Sequence, residues 1–189
     1  MNIGRLLNST NQFAAQLESV LKDLQMLDVC TDLHMDHICV RLSTDENVEH
    51  IHNTFGFVGD TISTALIGGR LIHILQLHEP MRVGGWETYA VELPHPKSRS
   101  PYAAGWEHVE FVLPGTKNTM ADVQGAFESL FPHLQQSRFV EQYQRKDDEP
   151  KAGNDQQPNP TIGIKAAGIG FKFHALPIQE VVGYTKPPQ

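Results

Sequence analysis

Two stretches of this chain repeat one another, and a duplication of that length restricts the available architectures more than any other feature of the sequence. Asp36-His37-Ile38 is matched by Glu107-His108-Val109, and Ala90-Val91-Glu92-Leu93-Pro94 by Lys172-Phe173-His174-Ala175-Leu176-Pro177. The matched pairs lie about 71 and 82 residues apart, beyond solenoid periods, so the duplicated unit is half of a domain.

The order of predicted elements repeats as well. DHICVRL reads as a strand, STDENVEHIHNTFG as a helix started by Ser43 or Thr44, and FVGDTISTALIG as a strand. RLIHILQLHEP and WETYAVELPHP follow as strands that stop at prolines. After the connector HPKSRSPYAAGW the series restarts: EHVEFVLP as strand, GTKNTMADVQGAFESLFPHL as helix, RFVEQYQRK as strand, then TIGIKAA and IGFKFHALP. The polar segment 147–160 reads as an exposed hairpin loop or a flap over the site, and the C-terminal tail as ending in a disordered tip.

Ahead of both copies, Leu6, Leu7, Phe13, Leu17, Val20, Leu21, Leu24 and Leu27 recur at three- and four-residue intervals, an amphipathic helix with an interruption near Ser9 and Thr10. The expected fold is therefore α+β: two βαβββ modules in one mixed, antiparallel-rich sheet with an added N-terminal helix. The expected boundaries are 1–34 for the helical extension, 35–96 for the first module and 105–182 for the second, within a single domain.

Strand side chains alternate between faces. Ile38, Val40 and Leu42 alternate with His37, Cys39 and Arg41; Val109, Phe111 and Leu113 alternate with His108, Glu110 and Val112. The closing strands behave alike, with Glu92 and His174 on the polar side. A wet sheet face would carry scattered Lys, Glu, Ser and Thr, whereas here His37, Glu92, His108 and His174 occupy the first and last strands of two related modules. Imidazoles and a carboxylate converging in this way suit one divalent ion: Zn, Fe(II), Ni, Co or Mn. His78 and Glu110 stand near enough in sequence to substitute as ligands.

Composition removes other classes. A formal charge of -7 and a pI near 5.8 disfavour nucleic acid, which is held by clustered Lys and Arg. No apolar run approaches a membrane span, and no secretory signal opens the chain, so a cytoplasmic protein is expected. Cys30 and Cys39 form no metal-binding or disulfide spacing and are read as small buried residues.

The motifs DHI, QLHEP, VELPHP, GWEHVEFVLP and KFHALPIQEVV resemble those of the YecM family within the vicinal oxygen chelate superfamily (glyoxalase/bleomycin resistance/dioxygenase-like), over nearly the whole chain. The resemblance implies an open, strongly curved sheet with helices outside and a metal on the concave face, its ligands taken from the first and last strands of each module. His174 stands where the superfamily usually has a glutamate. The resemblance further implies Lewis-acid chemistry on a small molecule with two neighbouring oxygens, as an isomerase, a dioxygenase or a lyase. The alternatives are a non-catalytic binder of a small molecule or metal, and a cup whose histidines are structural. A complete site can form within one copy, a dimer being neither required nor ruled out.

Glu110, two residues along from His108, is the candidate catalytic acid/base or the carboxylate that orients His108. Arg41, two along from His37, is the candidate substrate anion contact, with an ion pair as its other role. Lys172 is assigned to the opposite wall or to solvent. Trp86 and Trp106 are read as core anchors, and Asp36 and Glu107 as local hydrogen-bond partners pointing to the other strand face.

Overall fold

In the computed structural model, which describes residues 2–97, 103–153 and 155–185, the N-terminal periodicity folds as α1 (Ile3–Asn8), α2 (Thr10–Asp23) and α3 (Leu27–Thr31). The interruption falls at Ser9, whose hydroxyl donates to the Leu6 carbonyl at 2.7 Å where α1 closes. The expected disordered tip lies outside the described residues, as does residues 98–102 of the connector.

One half of the sheet comes from β1 (His34–Arg41), β2 (Gly59–Ile67), β3 (Arg70–Val83) and β4 (Trp86–Pro94), with α4 (Asp45–Phe55) between the first two. The other half comes from β5 (Gly105–Val112), β6 (Gln144–Asp148), β7 (Thr161–Ala166) and β8 (Ile169–His174), with α5 (Met120–Leu130) and α6 (Ser137–Val140) between β5 and β6. A final turn, α7 (Ile178–Val181), follows β8. All eight strands join one mixed sheet in the order β2-β3-β4-β1-β5-β8-β7-β6. β1 runs parallel to β4 and β5 parallel to β8, while β1 and β5 meet antiparallel at the centre. The strand order thus reads alike from the centre toward either edge.

The predicted alternation holds on the central strands. Ile38, Val40, Val91, Leu93, Val109, Phe111, Phe171 and Phe173 are buried in a core completed by Leu17 and Leu21 of α2, Ile51 of α4 and Phe127 of α5. The helices therefore cover one face, and the reactive side chains emerge on the other. Thr44 and Thr119 cap α4 and α5, each accepting from the backbone N–H three residues on.

Two local expectations fail for identifiable reasons. β3 does not stop at Pro80 but continues to Val83, because its pairing with β4 lapses between Gln76 and Met81, where the N–H that proline lacks has no ladder partner to satisfy. RFVEQYQRK is not one strand: Ser137–Val140 forms a helical turn and only Gln144 onward is extended. Phe139 and Tyr143, four apart, return toward the preceding segment, with Phe139 buried edge-on to His133 and the Tyr143 hydroxyl donating to the Leu134 carbonyl at 3.1 Å. That spacing is helical, not alternating.

Candidate metal centre

The strand registers assemble the polar face row by row. His37 on β1 lies beside Glu110 on β5, and Cys39 beside His108; Cys39 also faces Glu92 on β4, and Glu110 faces Lys172 on β8. Four side chains converge. His37 Nε2 is 3.2 Å from Glu110 Oε1 and 3.9 Å from Glu92 Oε2, and His108 Nε2 is 3.2 Å from both of those oxygens. Ligands about 2.1 Å from a tetrahedral ion stand about 3.4 Å from one another, so these separations match donors around a common point.

Hydrogen bonding sets which atoms would face a cation at this point. The Asp36 carboxylate accepts from His37 Nδ1 at 2.7 Å, which leaves the Nε2 lone pair facing Glu92 and Glu110. Asp36 is itself held by the backbone N–H of Ile178, at 3.0 and 3.1 Å to its two oxygens. Glu92 Oε2 is buried and, beside His108 Nε2 at ion-pair distance, has no well-directed hydrogen bond among the described residues. An orphaned carboxylate oxygen and a lone pair aimed at the same point are what a bound cation would satisfy.

Charge balance agrees. Asp36, Glu92 and Glu110 bring three carboxylates against the one ammonium of Lys172, whose Nζ is 2.5 Å from Glu110 Oε1. With neutral imidazoles two negative charges remain uncompensated in a largely buried cluster, the charge a divalent ion neutralises. Without an ion, protons fill that role. Burial opposes charge on His37, yet the Glu110 and Asp36 carboxylates raise its pKa from 6.5 to about 10. Burial likewise opposes charge on Glu92 and Glu110, but His108 and Lys172 hold Glu92, and Lys172 and His37 hold Glu110, below the ordinary 4.5.

The pH dependence follows from these directions. The His37 imidazolium stabilises the metal-free fold fully below pH 6.5 and ceases to do so as pH rises through about 10. The two carboxylates contribute above pH 4.5 and lose that contribution as pH falls. A cation must displace the His37 proton, so its affinity rises with pH across that whole interval. Thermal melts from about pH 5 to about pH 8, with and without zinc, are expected to give a zinc-induced rise in Tm that grows with pH; an increment independent of pH would contradict the exchange.

Asp36 and Glu107 do not point to the opposite face as expected. The ladder between β1 and β5 slips between Met35 and His37 on β1 and between Trp106 and His108 on β5, leaving Asp36 and Glu107 as the extra residues of two bulges. A bulge sets successive side chains on the same side, which is how Asp36 reaches His37. Asp36→Asn is expected to weaken metal binding by about 10- to 100-fold while the protein stays folded, measured by competition against a chromophoric chelator.

His174 is set back from the four. It is fully buried with neither ring nitrogen hydrogen-bonded among the described residues, and its Nε2 is 3.5 Å from both Asp36 Oδ2 and Glu110 Oε2. The registers explain its displacement. Taking His37 and His108 as equivalent, Ala90 matches Gly170 and Glu92 matches Lys172, because β8 pairs with β5 two residues earlier than a match of Glu92 with His174 requires. Lys172 thus holds the position of Glu92 in the second half and is turned into the site, half-buried. Burial pushes the His174 pKa below 6.5, with Asp36 and Glu110 opposing.

Arg41 also falls outside this group. It pairs with Glu107 and lines an adjoining cavity with Trp106 and Lys165. His78 is exposed beside Asp60, far along β3 from the cluster. Trp86 donates to the Cys30 carbonyl at 2.8 Å and Trp106 to the Leu6 carbonyl at 3.1 Å, anchoring roles as expected.

The cluster opens into a cavity of about 450 Å³. Ala65, Ile72 and Ile74 form an apolar wall, and Lys172 and His174 line the polar side. Segment 147–160 supplies part of the rim through Asp148, Pro150 and Ala152, and is tied down by Gln156 N–H to the Val181 carbonyl at 2.8 Å and by Asn159 to Leu176 in both directions. No helix among the described residues is long and apolar enough to cross a membrane.

Comparisons with known proteins agree with the fold and with one another. The family model described as "YecM protein" matches residues 2–185. "Protein YecM" of Escherichia coli (strain K12) is 33% identical over 152 residues, which cover 80% of this chain and 78% of that one. An uncharacterized protein of Haemophilus influenzae is 26% identical over 158 residues, covering 80% of each. A solved structure described as "Structural Genomics, Protein EC4020" superposes with a TM-score of 0.80 at 27% identity, over 96% of this chain and 91% of that one. The chain belongs to the YecM family.

Proposed function

We propose that this chain is a divalent-metal protein acting on, or at least capturing, a small molecule with two neighbouring oxygens, with His37, Glu92, His108 and Glu110 holding the ion. The carrying observation is the commitment of His37 Nδ1 to Asp36, which turns Nε2 toward the orphaned Glu92 oxygen. The mirrored strand order, in which 35–96 and 105–182 each supply one half of the sheet, supports a vicinal oxygen chelate arrangement of two βαβββ modules within one domain.

A bound ion supplies Lewis-acid polarisation of a ligand oxygen. The chain's own side chains do the rest. Asp36 fixes the His37 ring; Lys172, which holds Glu110 until an ion displaces it, brings positive charge to the cavity where an anionic oxygen of the ligand would lie. His174, kept neutral by burial, is the group suited to accept a proton, which moves the acid/base role from Glu110 to His174. Ala65, Ile72 and Ile74 exclude water from the ligand's other side. The ligand set has two imidazoles and two carboxylates, a mixture that suits Zn, Fe(II), Ni, Co or Mn. Arg41, paired with Glu107 at the adjoining cavity, is placed to contact only a ligand long enough to extend past His108.

Acetohydroxamate, a compact two-oxygen chelator, tests the reading by calorimetry. It should bind protein loaded with zinc at least about tenfold more tightly than metal-free protein, and His174→Gln should leave that binding in place while removing any turnover found with chelating substrates. Equal affinity with and without zinc would refute a chelate mode.

A further inference from the structure

A second group of histidines lies on the opposite side of the sheet, between α4 and the strands toward one edge. His73 on β3 alternates with Ile72 and Ile74, which face the cavity, so its ring turns toward the helix. His95 follows β4 directly, its backbone N–H donating to the Leu71 carbonyl at 2.8 Å. Asp45 and Glu49, four residues apart on α4, share one helical face above both rings.

The hydrogen bonds orient each ring. The Asp45 carboxylate accepts from His95 Nδ1 at 2.7 Å, so His95 Nε2 carries the lone pair in the neutral ring. His73 Nδ1 is 2.9 Å from the Thr64 hydroxyl, which can serve as donor or acceptor. The two Nε2 atoms face each other at 3.2 Å, and Glu49 Oε1 is 3.8 Å from His95 Nε2. One proton shared between the two Nε2 atoms satisfies them as a hydrogen bond, and a divalent ion taking that proton's place would have the Glu49 carboxylate within reach as a third ligand. One ligand atom from each of Glu49, His73 and His95 falls within 4.8 Å of the other two, and His73 is buried, with the His52 ring stacked on it at 4.3 Å.

We infer that Glu49, His73 and His95 form a second transition-metal site, separate from the cup, in which the ion ties α4 to β3 and to the end of β4. Two imidazoles and one carboxylate hold zinc, nickel or copper and leave a position for water. The Asp45–His95 contact is the carboxylate support that a metal-bound imidazole commonly has. Because the ligands come from a helix and from the sheet, the ion's effect is on the stability of that joint.

The test is a zinc titration of the intact metal-free chain, followed by long-range nitrogen–proton NMR of the histidine rings and by thermal melting. His95→Ala and Glu49→Gln are the principal variants; His73→Ala joins them if it folds. Expected is a zinc-dependent shift of the His73 and His95 Nε2 resonances, with at least a tenfold loss of that affinity in His95→Ala, while the His37 and His108 signals still respond. His52→Ala, which removes a stacked ring and no ligand, should retain the site. If His73 and His95 do not shift, or His95→Ala binds the same number of zinc equivalents with the same affinity, the proposal is overturned, and Thr64, His73, His95 and Asp45 are a metal-free chain of hydrogen bonds.

Discussion

His108→Ala is expected to abolish stoichiometric metal binding at the cup, lowering affinity by at least about a hundredfold if a structural site worth 10–16 kcal/mol is shared among four donors. His108 is the donor whose loss is felt most. Its Nε2 is 3.2 Å from Glu92 Oε2 and from Glu110 Oε1, so without it two buried carboxylates lose the imidazole they share. The metal-free variant is expected to remain folded, because Lys172 still pairs with Glu110 and the apolar core lies on the opposite face. Metal content by mass spectrometry, with circular dichroism as the check on folding, measures this. Unchanged metal content in a folded His108→Ala protein would remove His108 from the ligand set.

Phe173→Ala is expected to destabilise the fold by about 3–5 kcal/mol, lowering Tm by roughly 10 °C in a chain of this size. Phe173 is fully buried and its ring meets those of Phe111, Phe127, Phe131 and Phe171 at centroid distances of 5.2 to 6.1 Å. It therefore joins β5, β8 and α5 at one point, and the cavity left behind is lined by rigid rings that cannot collapse into it. Chemical denaturation measures the loss. A cost below about 1 kcal/mol would mean that the aromatic cluster does not hold the second half of the sheet to its helix.

These two substitutions probe opposite faces of the same strands, and the division between faces was legible in the residues. The alternation of Ile38, Val40, Val109 and Phe111 with His37, Cys39, His108 and Glu110 is a direct consequence of strand geometry, and it placed His37, His108 and Glu110 on one face of the sheet. What alternation does not encode is register. Glu92 and His174 share a Leu-Pro neighbourhood in sequence, but β4 ends at Pro94 whereas β8 ends at His174, so the shared proline marks different distances beyond the site. Lys172, not His174, consequently occupies the place of Glu92.

The bulges were hidden for a similar reason. Nothing in Asp36-His37 or Glu107-His108 announces an extra residue in the ladder, and strict alternation assigns each acid to the core side. The available signal was chemical. An acid preceding the histidine in both copies is poorly suited to an apolar interior, and the duplicated bulge is the resolution of that conflict. For Arg41 the same slip decides between its two expected roles, since the bulge that swings Glu107 toward it supplies the ion-pair partner.

The most direct test of the metal centre is anomalous diffraction from a crystal of this protein soaked in zinc, recorded on both sides of the zinc absorption edge. The expected result is a peak within about 2.0–2.2 Å of His37 Nε2, His108 Nε2, Glu92 Oε2 and a Glu110 oxygen, with the Lys172 ammonium displaced outward from Glu110. A map with no peak among these four side chains at saturating zinc, the Lys172–Glu110 pair remaining closed, would contradict it.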